Sequence, residues 1–342
     1  MSNRLSVVIS TFNRLPLLIE LLDALGRQTL PPEQFEVVVV DDGSRVPVEP
    51  VLAKRKDPYR LTVVTQANAG AAAARHAGVV KASGEVVVIT DDDMLVPSDF
   101  LAEHLAAHDA GYTLVLGHML PDDSNHEKPL FDRFHIEQLT RFAETYREKP
   151  TAVHGAMVCT GNVSFRREDY LRIGGFDRTL DRSEDRDLGL RLQKAGARLY
   201  FADKARTINR TDHTDLKVWM RRNYNYGICD ARISHKHPER LDANPWDFLF
   251  EVNPVSRPLL LAAVAAPPVG FVLSRAAYKV AETVAVGRKL HPAFEKVAIA
   301  GATLSYGLEY FRGVRKEAGS LPSAMKDFGA HALRRLTAKV RG

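Results

Sequence analysis

The chain carries only two cysteines in 342 residues, Cys159 and Cys229, and no C-x-x-C pair. That excludes a disulfide framework and a cysteine zinc site, and it makes a reducing, cytosolic compartment the expected setting. No apolar run reaches the roughly 20 residues that a membrane-spanning helix needs. The longest, PLLLAAVAAPPVGFVL at 258–273, is shorter and is interrupted by Pro267-Pro268. The opening MSNRLSVVIS holds only a brief apolar stretch, so no secretory signal is expected. The phosphate-binding pattern G-x-x-x-x-G-K-[ST] is absent, which removes the P-loop phosphotransferases. Internal repeats and low-complexity tracts are also missing.

What remains is the composition of a globular protein, 45% hydrophobic and 26% charged, long enough for one large domain and a smaller one. The formal charge is +5, and the bases gather at the end of the chain. From Arg312 onward Arg315, Lys316, Lys326, Arg334, Arg335, Lys339 and Arg341 face only Glu317 and Asp327. Such a tail suits an anionic polymer or a membrane surface; nothing in the sequence asks for nucleic acid.

The first half alternates strand-like and helix-like segments. LSVVIS (5–10), EVVVVDD (36–42), RLTVVT (60–65) and EVVVITDDD (85–93) are β-branched and continuously apolar, as strands buried on both faces are. Between them, 14–28 places Leu17, Leu18, Leu21, Leu22 and Leu25 on one helical face, and 69–84 reads as a second helix closed by Gly84. The alternation predicts a doubly wound α/β domain with a mostly parallel sheet. Helices are expected at 98–111, capped by Ser98, at 183–196 and at 215–235, and strands at 112–120 and after 196. Ligands in such sheets bind beyond the carboxyl ends of the strands, where STFNR, DDGS and TDDD all fall.

The consecutive Asp91, Asp92 and Asp93 repel one another unless a cation joins them. A diphosphate-bound Mg²⁺ or Mn²⁺ takes hard oxygen ligands, usually one or two carboxylates. A solvated acidic turn is the plainer alternative. Asp42 could accept hydrogen bonds from a base or ribose, or simply shape an Asp-Gly turn. Ser10, Thr11 and Asn13 open a helix after the first strand, where backbone N–H groups favour a polar ligand. Arg75, set among alanines, either pairs with a carboxylate or reaches a diphosphate. In SEDRDLGLRL (183–192), Glu184 and Asp185 begin an amphipathic helix, as a cap or as a general base. Two separate carboxylate clusters suit transfer of a group from a phosphorylated donor to a hydroxyl.

In order and spacing, SVVISTFNR, VVVVDDGS, NAGAAAARHAG, GEVVVITDDDM, TGNVSFRRE…GGFD and EDRDLGLRL resemble the family 2 glycosyltransferases over roughly residues 5–230. The resemblance implies the GT-A fold and an inverting enzyme using a nucleotide-diphosphate sugar with Mg²⁺ or Mn²⁺. It implies that Ser10, Thr11, Asn13, Asp42 and Arg75 hold the nucleotide, that Asp91 and Asp93 form the DxD pair, and that Asp91 or Asp92 lies near the ribose. Asp93 is the first choice of metal ligand. Gly161, Asn162 and Glu184 would line the sugar and acceptor pocket, and Asp185 would be the catalytic base. Two positions depart from the pattern. His76 follows Arg75 where family members have Asn. The slot for a third metal ligand falls at Asn209, with His213 one turn beyond. YFRGVRKEAG (310–319) is similar to the tails of bacterial members that modify surface polysaccharides, so the expected acceptor is a glycan or lipid-linked glycan.

The expected division is a catalytic domain at 1–235 and a helical C-terminal region at 236–342. There Met325, Phe328, Leu333, Leu336 and Val340 share a helical face interleaved with Lys326, Arg334, Arg335 and Lys339, which suits peripheral attachment to the inner face of the membrane. The rival readings are a nucleotidyltransferase that makes the nucleotide sugar and a non-catalytic sugar-nucleotide-binding scaffold.

Overall fold

The computed structural model describes residues 3–122, 128–180, 182–210 and 215–341. The chain forms two compact units, one comprising 1–125 and 138–211, the other 126–137 and 212–342. The division therefore falls near residue 211 and not at 235, and it assigns a short earlier segment to the second unit.

The first unit is built on eight strands: β1 (Leu5–Thr11), β2 (Phe35–Asp41), β3 (Arg60–Thr65), β4 (Val86–Ile89), β5 (Met94–Leu95), β6 (Leu114–Pro121), β7 (Val163–Arg166) and β8 (Leu199–Asn209). They make one sheet in the order β3-β2-β1-β4-β7-β6-β8-β5. β3, β2, β1 and β4 are mutually parallel, as are β6 and β8, while β4–β7, β7–β6 and β8–β5 are antiparallel. Its helices are α1 (Leu15–Leu25), α2 (Glu49–Leu52), α3 (Ala71–Lys81), α4 (Phe100–Asp109), α6 (Arg167–Arg172) and α7 (Glu184–Lys194); α5 (Leu130–Arg147) starts in the second unit's segment and ends in the first.

The two-residue period of the strands explains why both faces are apolar. Leu5, Val7, Ile9, Val37, Val39, Val86 and Val88 point to one side and meet Leu18, Leu21, Leu22 and Leu25 of α1 and Phe100, Leu101 and Leu105 of α4. Val8, Val38, Val40, Val87 and Ile89 point to the other and meet α3 and Leu188 and Leu192 of α7. Each such side chain contributes about 1.5–3 kcal/mol by burial. On α3, a Cβ at Gly78 would lie 2.4 Å from Val8 Cγ1, so glycine is what lets this helix rest against β1.

Some expected boundaries move. α3 stops at Lys81; Gly84 instead sits where a Cβ would come within 2.6 Å of the Leu5–Ser6 backbone, so it serves a close strand approach and no cap. α4 has Asp99 at its cap position, and Ser98 gives its carbonyl to the Thr29 N–H at 2.7 Å. β4 ends at Ile89, its last pairing partner in β1 being Val8, which leaves the three aspartates outside the strand.

The second unit is helical: the start of α5, then α8 (Leu216–Lys236), α9 (Asp247–Glu251), α10 (Arg257–Ala265), α11 (Pro267–Ala285), α12 (Pro292–Glu317) and α13 (Leu321–Arg341). α8 belongs here because it packs backbone to backbone on α12. A Cβ on Gly227 would lie 1.9 Å from Tyr310 O, and one on Gly313 2.0 Å from Tyr224 O. The apolar run 258–273 divides between α10 and α11 at Ala266, since Pro267 cannot extend a helix. No described helix is long and apolar enough to cross a membrane.

The apolar face expected on α13 is split. Phe328 packs on Trp246 and Phe250, and His331 and Arg335 turn towards Asp247, whereas Met325, Leu333 and Leu336 are exposed. Residues 328, 331 and 335 form one turn-to-turn stripe and 325, 333 and 336 another, so the helix buries the first and leaves the second outside.

Candidate active site

Parallel pairing of β1, β2 and β4 brings their carboxyl ends to one edge, where Thr11 is in register with Asp41. The polar residues there first satisfy the backbone that turns away from the sheet. Asp41 accepts from the Ser44 and Val48 N–H groups at 2.9 and 3.1 Å. Asp42, expected to hold the nucleotide, is buried and accepts from the Ala69 and Gly70 N–H groups, both at 2.9 Å, and from Gln66 Nε2 at 2.8 Å. Both its oxygens are thus engaged in shaping the 66–70 loop that leads into α3. Asn13 adopts a left-handed φ of 59°, accepts from the Arg45 N–H at 2.8 Å and donates its own N–H to Ser44 Oγ at 2.9 Å. It ties the β1 turn to the β2 turn, while Ser10 remains half-buried at the strand end.

The three aspartates have different surroundings. Asp92 is buried, accepts from Thr11 Oγ1 at 2.7 Å and from Arg14 Nη1 at 3.3 Å, and burial raises its pKa. Thr11 is buried with it, so its hydroxyl faces Asp92 and no open pocket. Asp93 pairs with Arg14 Nη1 at 3.0 Å. Asp91 is the most open of the three, with a side chain 29% exposed, and it accepts from Arg75 Nη2 at 2.6 Å.

Arg75 links the two carboxylate clusters that are far apart in sequence. It is buried on α3, and its Nη1 donates to Glu184 Oε1 at 2.6 Å while Nη2 holds Asp91. Its pKa is raised, the neighbouring Asp91 and Glu184 carboxylates outweighing a large burial penalty that opposes them. Both readings of an arginine among alanines meet here: it pairs with carboxylates, and the carboxylates are those of the candidate site.

Asp185 follows Glu184 at the start of α7, after Ser183 in a left-handed conformation. Its oxygens accept from the Arg186 N–H at 2.8 Å and the Thr160 N–H at 3.3 Å. Burial, reinforced by the Glu184 charge and opposed by Arg75, pushes its carboxyl up to about 7. A carboxyl near 7 is suited to taking a proton at neutral pH.

Gly161 belongs to this cluster: a Cβ there would lie 3.6 Å from Asp91 Oδ2 and 2.9 Å from Met119 Sδ and Met94 Cε. Asn162 does not line an open pocket. It is buried, with Oδ1 2.9 Å from His104 Nε2 and Nδ2 donating to Ala205 O at 2.9 Å, because β6 and β8 need its amide in the gap that Gly117 leaves. Two participants were not assigned from the sequence. Arg14 lies in the quoted STFNR segment, and its place at a strand end beside other polar ends was the available signal. Cys159, whose thiol is pushed up to about 12 by burial and then by Asp185, carried none.

Among the described residues no three His, Cys, Asp or Glu side chains form a metal-holding group. Asp91 and Asp93 nevertheless fit a hard divalent ion, which takes one or two carboxylates and fills its other positions with diphosphate oxygens and water. β8 ends beside them: Asn209 pairs with Met94, and the Arg210 N–H donates to Asp93 O at 3.0 Å. His213 lies outside the described residues.

The sequence profile of glycosyl transferase family 2 matches residues 6–174, and that of the N-terminal domain of galactosyltransferase matches 140–214. Validoxylamine A glucosyltransferase of Streptomyces hygroscopicus subsp. limoneus is 32% identical over 272 residues, covering 71% of this chain and 58% of its own length. The chain thus spans about three fifths of that relative. Among solved structures, the mannosyltransferase PcManGT from Pyrobaculum calidifontis, in complex with GDP-Man and Mn²⁺, superposes with a TM-score of 0.59 at 24% identity over 90% of this chain and 86% of its own. S. aureus TarS 1-349 in complex with UDP-GlcNAc gives a TM-score of 0.51 at 19% identity, covering 90% of each chain. With the sheet order, the strand-end aspartates and these matches in hand, the chain belongs to glycosyltransferase family 2 and has the GT-A fold.

Proposed function

We propose that the chain transfers a sugar, with inversion, from a nucleotide-diphosphate sugar to a hydroxyl of a glycan or lipid-linked glycan in cell-envelope polysaccharide synthesis. The observation that carries this reading is the Asp91–Arg75–Glu184 bridge, which ties the triple aspartate to the helix bearing Asp185. The solved neighbours bound to GDP-Man and to UDP-GlcNAc support a nucleotide-sugar donor. The envelope setting rests on the resemblance of 310–319, and peripheral attachment to the inner face of the membrane on the basic tail and the exposed stripe Met325, Leu333 and Leu336.

In this reading Asp185 takes the acceptor hydroxyl proton while the acceptor oxygen bonds to the anomeric carbon. The bond from that carbon to the β-phosphate oxygen breaks on the opposite face, and its electron pair leaves with the nucleoside diphosphate. Arg75 faces the charge that develops there. Mg²⁺ or Mn²⁺, held by Asp91 and Asp93, would supply Lewis-acid stabilisation of the diphosphate. Asp42, Asn13 and Thr11 act by fixing the loops and the Asp92 carboxyl that frame the donor.

A thermal-shift panel of UDP, GDP, dTDP and CMP, each with and without Mn²⁺, tests the donor site. A nucleotide at a hundred times its Kd adds about 2.7 kcal/mol of stability. One metal-dependent hit names the donor base. No shift with any of the four moves the non-catalytic scaffold to the front.

A further inference from the structure

The turn between α11 and α12 shows the largest side-chain exposure in the molecule, and its exposed residues are apolar. In the 3-10 turn Val286–Lys289 and the residues after it, Val286 is 73% and Leu290 85% exposed; Phe294 and Val297, one turn apart on α12, are exposed as well. None of the four holds the fold together. The helix pair closes through Ala281, Ala285, Ala298 and Ala302, which are buried, and through Gly301, where a Cβ would lie 2.6 Å from the Ala281 Cβ. The turn is well defined. The Leu290 and His291 N–H groups donate to Gly287 O at 2.9 and 3.2 Å, and the Phe294 ring lies across Gly287, 2.8 Å from where a Cβ would be.

The charge around this apolar tip has one sign. Lys279, Lys289 and Lys296 are exposed, and Arg288 caps Ala285 O at 3.3 Å. Of the two acids in the same stretch, Glu295 pairs with Arg133 at 2.5 Å, which leaves Glu282. An apolar tip rimmed by bases matches the boundary of an anionic bilayer, where acyl chains accept the aliphatic groups and headgroups the ammonium ions. A symmetric contact between two copies would set the same bases against each other, which disfavours that occupant. No described helix can span a bilayer, so the contact is with one leaflet.

We propose that the α11–α12 turn is a docking element that inserts Val286, Leu290, Phe294 and Val297 into an anionic lipid surface, with Lys279, Lys289 and Lys296 at headgroup level. This rests on the peripheral-membrane part of the proposed function but gives the insertion to this turn and not to α13.

The test is flotation of the full chain with phosphatidylcholine vesicles containing or lacking phosphatidylglycerol. The wild type should float with the anionic vesicles, less so at high salt. The double variant Val286→Glu/Leu290→Glu should lose at least about tenfold in bound fraction, since two inserted side chains are replaced by repelled acids. Its melting temperature should be unchanged, because neither residue is packed. Leu290→Trp should show a blue-shifted emission on anionic vesicles. If the double variant floats like the wild type while Met325→Glu/Leu333→Glu does not, the membrane reading survives and the turn is the wrong element. If the wild type stays with the buffer but forms a concentration-dependent dimer that Leu290→Glu dissolves, the patch joins two copies and the proposal is overturned. Neither floating nor self-association overturns both readings.

Discussion

The two units treat buried charge in opposite ways. In the helical unit Glu309 is buried with two arginines on its carboxylate, Arg275 at 2.9 Å and Arg312 closer still, and with the Ser274 hydroxyl. In the sheet unit three carboxylates, Asp91, Glu184 and Asp185, gather around one buried arginine, Arg75. The first cluster has cation to spare and the second has carboxylate to spare. A balanced or overcompensated charge serves packing. An acidic excess held at a sheet edge costs stability and has a use only if a proton or a metal ion joins it. Exposed apolar surface divides the other way: large exposed apolar side chains are more than twice as many in the helical unit as in the sheet unit among the described residues.

If that contrast is right, substitutions in the two clusters should be read by different instruments. Glu309→Ala leaves Arg275 and Arg312 without their shared partner and should lower unfolding stability by about 3 kcal/mol, seen as a shifted denaturant midpoint. Asp185→Asn should instead lower turnover by at least about a hundredfold while nucleotide affinity stays near its wild-type value. Its effect on stability should have the opposite sign. The folded-state pKa of Asp185 is raised, so wild-type stability falls as pH rises from the usual carboxylate range through about 7. Asparagine does not titrate, and the melting temperature of the variant should gain on the wild type between pH 5 and pH 8. A variant that loses stability at both pH values would place Asp185 with Glu309 among structural carboxylates.

The metal assignment gives the next contrast. Asp93→Asn should remove the part of a nucleotide thermal shift that depends on Mn²⁺ and leave any metal-independent part. With ligand at a hundred times Kd, the loss can reach about 2.7 kcal/mol. An Mn²⁺-dependent shift that survives the substitution would show that Asp93 serves Arg14 alone.

The sheet unit was legible because strands buried on both faces leave an unmistakable run of valines, and because polar strand ends in parallel register must meet at one edge. What the sequence did not show was which of those polar groups turn inward. Asp42, Thr11 and Asn162 carry the residue types of a ligand site, yet each is engaged by backbone or by another side chain of the fold. Composition cannot separate an aspartate that shapes a loop from one that waits for a ligand, because both sit in turns beside glycine. The bridge from Asp91 to Glu184 was hidden for another reason. It joins residues 93 positions apart through a third, and only the packing of α3 against β1 at Gly78 sets Arg75 between them. In the helical unit, helix boundaries were readable, but α8 went to the wrong side of the division. Its tie to α12 depends on Gly227 and Gly313, two small residues far apart in the chain. The face of α13 was misjudged because its period admits two apolar stripes, and Trp246 and Phe250 select one of them.

The smallest effect expected is the one most specific to the acidic excess. Burial is the largest cause of the raised Asp185 pKa, the Glu184 charge comes next, and Arg75 opposes both. Glu184→Gln removes the repelling carboxylate and leaves Arg75 with one fewer anion to face, so both changes favour ionised Asp185. The acidic limb of the kcat/KM profile, which reports the base in the free enzyme, should move to lower pH by about half a unit. It should not return to the ordinary carboxylate range, because burial is untouched. Arg75→Gln should move the limb the other way, since it withdraws the only cation of the cluster. A profile that moves with neither substitution would mean that the proton taken in the reaction is not taken by Asp185, and the acidic excess would then have to be explained by the metal alone.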